Sequence, residues 1–184
     1  MKKFFLIAIV LIAVTGVKAQ NEGFSIAPKI GVNIAKISGF GSSCKSLTGL
    51  NIGITGQYRF ENSFAIESGL IYSQQGVKVF LDGGGRSYFK ERINYINIPV
   101  LAKYYITKGL NVFAGPGLGF CVSKGSLTYF KDFDLAANVG AGYEFDFGLL
   151  LQANYNISLT KLSKYSDNKY RNNVFQVSAG WRFL

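Results

Sequence analysis

The chain has no histidine, three prolines and two cysteines, Cys44 and Cys121. Without an imidazole, the usual Ser-His-acid hydrolase or acyltransferase arrangement has no general base. Zinc sites lose their commonest nitrogen ligand, and two widely separated cysteines are a weak replacement. No motif points to Ser-Lys chemistry. The expectation is therefore a non-enzymatic protein with no cofactor and no metal. Scarce proline beside 11 tyrosines and 16 phenylalanines also argues against disorder, which goes with few aromatics. Beyond residue 14 there is no long apolar run, so a helical membrane bundle is excluded.

The apolar run that does exist has another purpose. Lys2 and Lys3 precede an unbroken apolar stretch from Phe4 to Val14, and Val17-Lys18-Ala19 places small residues at the −3 and −1 positions. Such a segment is too short for a spanning helix, which needs roughly 20 residues, and reads as a secretory signal peptide cleaved before Gln20. The domain organisation expected is 1–19 as signal peptide and 20–184 as one β-barrel domain. Removing Lys2, Lys3 and Lys18 leaves 17 basic against 10 acidic residues, a net charge of +7. Export makes a disulfide between Cys44 and Cys121 permissible, and two separate thiols equally so.

What is abundant is glycine, 22 residues, and a two-residue rhythm of apolar and polar side chains. That period marks strands with two different faces. It recurs over 24–36, 49–60, 64–76, 94–106, 110–122, 134–145, 148–160 and 173–183. The connections alternate between tight (61–63, 107–109, 146–147) and long (near 37–48, 77–93, 123–133 and 161–172). An even number of strands, with short turns at one rim and long loops at the other, predicts an all-β fold: an eight-stranded antiparallel up-and-down transmembrane β-barrel.

Alternation alone does not say which face is outside, because a lipocalin-like barrel also alternates with its apolar face inward. Two features decide for a lipid-facing apolar side. The polar face is mostly Gly, Asn, Ser, Gln and Ala, whereas a wetted exterior carries abundant charge. Tyr58, Phe60, Phe64, Tyr104, Tyr143, Phe145, Trp181 and Phe183, joined by Phe24, all lie on the apolar register near the short-turn rim, as an interfacial girdle requires.

Only six charges fall on the inward face: Lys29, Arg59, Glu67, Lys103, Glu144 and Arg182. Buried charges persist when paired, so these are expected to form a structural network filling the lumen near the turns. An open channel for small solutes is the alternative, and a narrow eight-stranded barrel has little room for it. The long loops hold twelve basic and five acidic residues, a net +7 suited to lipopolysaccharide phosphates or a protein partner. Alternation also runs on through Val77, Val79 and Leu81 and returns through Tyr88 to Arg92. This predicts a hairpin beyond the bilayer whose Lys78, Arg86, Lys90 and Arg92 could bind a partner. Nucleic acid is not implied in that compartment. The glycine runs 82–86 and 115–119 are not phosphate cradles, since neither precedes a helix.

The signal segment, the stretch Ile96-Asn97-Ile98-Pro99-Val100-Leu101-Ala102-Lys103-Tyr104-Tyr105, the strand Ala114-Gly115-Pro116-Gly117-Leu118-Gly119 and the ending Ala179-Gly180-Trp181-Arg182-Phe183 resemble the PorT-like outer-membrane β-barrel family, small barrels of the OmpA/OmpX type. The resemblance implies that fold and a place in the outer membrane of a Gram-negative cell envelope, without implying one activity. The final Leu184, where such chains end on an aromatic, departs from the pattern.

Overall fold

A computed structural model describes residues 23–38, 44–61, 63–81, 87–123, 132–160 and 171–183. The signal segment 1–19 and the glycine run 82–86 lie outside them. The described residues form eight strands: β1 (Gly23–Ser38), β2 (Cys44–Arg59), β3 (Phe64–Leu81), β4 (Ser87–Tyr105), β5 (Leu110–Ser123), β6 (Phe133–Glu144), β7 (Leu149–Ser158) and β8 (Arg171–Trp181). Each pairs antiparallel with the next, and β8 pairs with β1, so the sheet closes as a barrel in simple meander order. Among the described residues no helix is long and apolar enough to cross a membrane, which says nothing against crossing by strands.

The register fixes the barrel's girth. Cross-strand partners followed once around from Gly23, through Arg59, Ala65, Lys103, Phe113, Gly140, Asn154 and Gln176, lead back to Asn33. The ladder thus returns to β1 ten residues along its own strand, at 33 rather than 23. For eight strands such a stagger means a tilt of roughly 35–45° and an interior that side chains can fill.

The faces sort by the two-residue period. Phe24, Ile26, Ile30, Val32 and Ile34 of β1 are exposed, while Ser25, Lys29 and Asn33 between them are buried. The same holds around the barrel: Ile52, Ile54, Val100, Val139 and Val177 look outward, and Asn51, Thr55, Asn138 and Gln176 look inward. The apolar side is the outside. This is the reverse of a water-soluble barrel and is what a hydrocarbon surround demands.

At the turn rim the aromatics touch. Tyr143, Phe145, Phe147 and Trp181 form a chain of ring contacts with centroids 4.7, 5.2 and 5.9 Å apart. Tyr58 meets Phe60, and Phe64 meets Tyr104, each at 5.0 Å. Phe24 and Phe147 are the most exposed of the set, both at 61%. The tight turn between β6 and β7 needs Gly148, whose φ of 102° suits no side-chain-bearing residue.

The interior is less purely small and polar than its sequence suggests. Leu47, Ile93, Tyr95, Leu101, Tyr105, Phe113, Leu150 and Val174 are also buried. Leu101 and Tyr105 share the phase of Lys103, and Phe113 shares that of Asn111. Leu150 is hidden in a run of three leucines, where the period cannot be read.

Candidate functional site

Five of the six inward charges come one each from β1, β2, β3, β4 and β6, the sixth, Arg182, directly follows β8, and all converge at the turn end of the lumen. Lys29 of β1 has glycines opposite it on both neighbours, Gly53 and Gly180, which leaves its long side chain free to cross the interior. A Cβ on Gly180 would sit 2.9 Å from Lys29 Cγ and 2.6 Å from the Pro28 carbonyl. Lys29 Nζ lies 2.5 Å from Glu67 Oε1 and donates to Gln152 Oε1 at 2.7 Å. Lys103 Nζ reaches both carboxylates, Glu67 Oε2 at 2.7 Å and Glu144 Oε1 at 3.2 Å.

Nearer the rim, Arg59 Nη2 lies 3.1 Å from Glu144 Oε2, and Arg182 Nη1 pairs with the same oxygen. Arg182 Nη2 also stands 4.0 Å from Glu67 Oε2. The Lys103 and Glu67 side chains are 0% and 1% exposed, so a broken pair there would leave a charge out of reach of solvent.

Neutral groups bind the charges together. Gln57 Oε1 accepts from Lys103 Nζ at 3.1 Å and from Arg182 Nη2 at 3.0 Å, while its Nε2 donates to the Tyr105 hydroxyl at 2.9 Å. That hydroxyl donates to Glu144 Oε1 at 2.8 Å. The Arg59 guanidinium lies 3.8 Å above the Tyr105 ring, a cation–π contact.

Towards the loop end the chemistry changes. Asn33 is the hub of an amide network, accepting from Asn51 at 2.7 Å and Gln176 at 2.8 Å and donating to Ser73 at 2.8 Å. Asn154 and Asn156 each donate to Gln176 Oε1 at 2.9 Å, and Asn172 donates to Gln75. Alternation puts these amides inside, but it does not reveal that they bond into one network. Beside them lies a cavity of about 50 Å³ bordered by Lys29 and Glu67 below and by Asn138, Gly117 and Asp134 on the far wall. A space of that size holds a few water molecules.

At the loop end β3 and β4, at 18 and 19 residues, outrun the other strands, which have 10 to 16. Their pairing continues through Val77↔Glu91 and Lys78↔Lys90 to Leu81↔Ser87. β2 accompanies β3 as far as Val79, and the two long strands run on from there as a hairpin. Arg92 is exposed and Lys78 half-buried. Lys90 lies on β4 with its side chain outside the described residues, and Arg86 lies outside them altogether. Cys44, at the start of β2, and Cys121, on β5, stand on strands separated by β3 and β4.

A closed meander of eight strands with its apolar side outward narrows the family sharply, and one match decides it. A model of the outer membrane protein beta-barrel domain matches residues 4–183. The chain belongs to this family. Together with the apolar exterior, membership places the barrel in an outer membrane. No curated protein matches the sequence. Among solved structures, the fold is similar to that of Ail, the attachment invasion locus protein of Yersinia pestis, in complex with the heparin analogue sucrose octasulfate. The TM-score is 0.54 at 15% identity, covering 88% of this chain and 99% of that one. The backbone structure of Ail in a phospholipid bilayer nanodisc gives 0.54 at 19% identity, covering 88% and 100%. OprG from Pseudomonas aeruginosa follows with 0.49 at 14% identity, covering 88% and 97%.

Proposed function

We propose that this barrel is a non-enzymatic surface component of a Gram-negative cell envelope, exported by its 1–19 signal segment and related to the PorT-like barrels. In this reading the transmembrane part is a closed anchor. The β3–β4 hairpin and the basic loops are the working surface, contacting lipopolysaccharide phosphates or a partner at the cell exterior. The observation that carries the reading is the hairpin itself, a paired ladder extending past β5 and, beyond Val79, past β2 as well. The net positive charge of the loops supports an anionic target. That Ail has been crystallised with a sulfated heparin analogue is in keeping with a polyanion as the class of ligand.

The test is deletion of 78–92, beside the milder set Lys78→Gln, Arg86→Gln, Lys90→Gln and Arg92→Gln. Both should fold and reach the outer membrane but lose binding to lipopolysaccharide vesicles. Unchanged binding by the deletion would overturn the proposal.

The channel reading is disfavoured by the ion-paired network and by the small size of the cavity beside it. Planar-bilayer recordings of the wild type should show no large, steady conductance. Such a conductance would make the channel the better account.

A further inference from the structure

The charges at the turn end do not balance. Four cations, Lys29, Arg59, Lys103 and Arg182, share two carboxylates, Glu67 and Glu144, so the network carries an excess of two positive charges. Inside a low-dielectric wall such an excess is costly unless something neutralises it. The acids on the adjacent turns do not: among the described residues, neither Glu61 nor Asp146 pairs with a guanidinium.

The excess is also placed where a solute can reach it. Lys29, Lys103 and Glu67 are sealed in, whereas Arg59 and Arg182 sit at the mouth with side chains 17% and 11% exposed. Among the described residues Arg59 hydrogen-bonds to the network through Nη2 alone, and its guanidinium lies over the Tyr105 ring. Arg182 Nε is buried with no hydrogen-bond partner. Arg59 keeps donors to spare among the described residues, and Arg182 adds a second positive charge beside the same carboxylate, which suits an oxyanion at the mouth.

We propose that the turn-side mouth of the barrel is a binding site for a small phosphate- or carboxylate-bearing anion, held by Arg59 and Arg182. In an outer-membrane barrel the short turns face the periplasm, so the anion comes from that side, either as a free solute or as a lipid headgroup of the inner leaflet. The site is independent of the hairpin and of whatever the loops bind.

The probe is inorganic phosphate added to the refolded full chain in zwitterionic nanodiscs, with sodium chloride at matched ionic strength as reference. The readout is the midpoint of heat-modifiable gel mobility. Phosphate should raise the midpoint along a saturating curve, by about 3–6 °C at ten times the Kd. Arg59→Gln should abolish the rise and Arg182→Gln should do likewise. If the latter fails to refold, Arg59→Gln carries the test alone, because Glu144 keeps Lys103 and Arg182 as partners. Lys108→Gln, an exposed cation on the same rim, should leave the rise intact. A non-saturating rise, an equal effect of chloride, or an equal loss in Lys108→Gln would overturn the proposal. A second arm replaces phosphate by nanodiscs containing phosphatidylglycerol. Arg59-dependent protection there assigns the anion to lipid, and protection by phosphate alone assigns it to a free solute.

Discussion

The two ends of the lumen solve the same packing problem with different chemistry. Near the turns, four long cationic side chains from β1, β2, β4 and the residue after β8 cross the barrel and share two carboxylates. Towards the loops, short amides bond to one another around Asn33, with space left over beside them. The first arrangement is stiff and fails badly when a sealed member such as Glu67 is removed, because Lys29 and Lys103 have no solvent to fall back on. The second is adaptable, since each amide can donate and accept and the neighbouring cavity has room for water.

Mutations should expose that contrast. The largest effect is expected from Glu67→Ala, which leaves Lys29 and Lys103 without their main partner and should cost about 3–5 kcal/mol. Asn33→Ala at the other end should cost about 1–3 kcal/mol, the desolvation of the amides it leaves unpaired. Urea titrations of the refolded protein, followed by Trp181 fluorescence, measure both, and equal losses would erase the distinction. Seen from outside, Val139→Arg near mid-span should cost about 2–4 kcal/mol and Tyr104→Arg at the rim about 0–1 kcal/mol.

Glycines sharpen the comparison further. A Cβ on Gly180 would press on the Pro28 carbonyl and the Lys29 stem, so Gly180→Ala should destabilise by about 1–3 kcal/mol. On Gly117 its nearest atom would be the Asn138 amide nitrogen at 2.5 Å, the far end of a side chain that can turn away. Gly117→Ala should therefore cost less than Gly180→Ala in the same titration. The smallest effect belongs beyond the membrane: Lys78→Gln with Arg92→Gln should change stability by no more than about 0.5 kcal/mol while weakening lipopolysaccharide binding.

Much of this was readable in advance because lipid enforces a strict division of faces. Phe24, Ile26, Ile30 and Val32 announce an outward row by their spacing alone, and the phase then places Lys29 inside. The alternation through Val77, Val79 and Leu81 and back through Tyr88 already places the long β3–β4 pair, whereas the strand over 49–60 stops short at the loop end, where β2 starts at Cys44. Out there both faces can be wet and the apolar rhythm thins. The inward Phe113 and Leu150 escaped because a large apolar residue on the polar phase breaks the rule that made the rest legible. Which cation meets which carboxylate was not legible at all. It depends on the ten-residue stagger, a property of the closed sheet that no single strand contains.

That dependence has a consequence for how the molecule is built. Lys29 belongs to the first strand and Arg182 directly follows the last, and both stand against carboxylates carried by β3 and β6. A sheet that has not yet closed would hold several of these groups at a raw edge with their counterions missing. Neutralisation and closure are therefore one event, and a half-assembled chain has every electrostatic reason to stay out of the hydrocarbon until its ends have met.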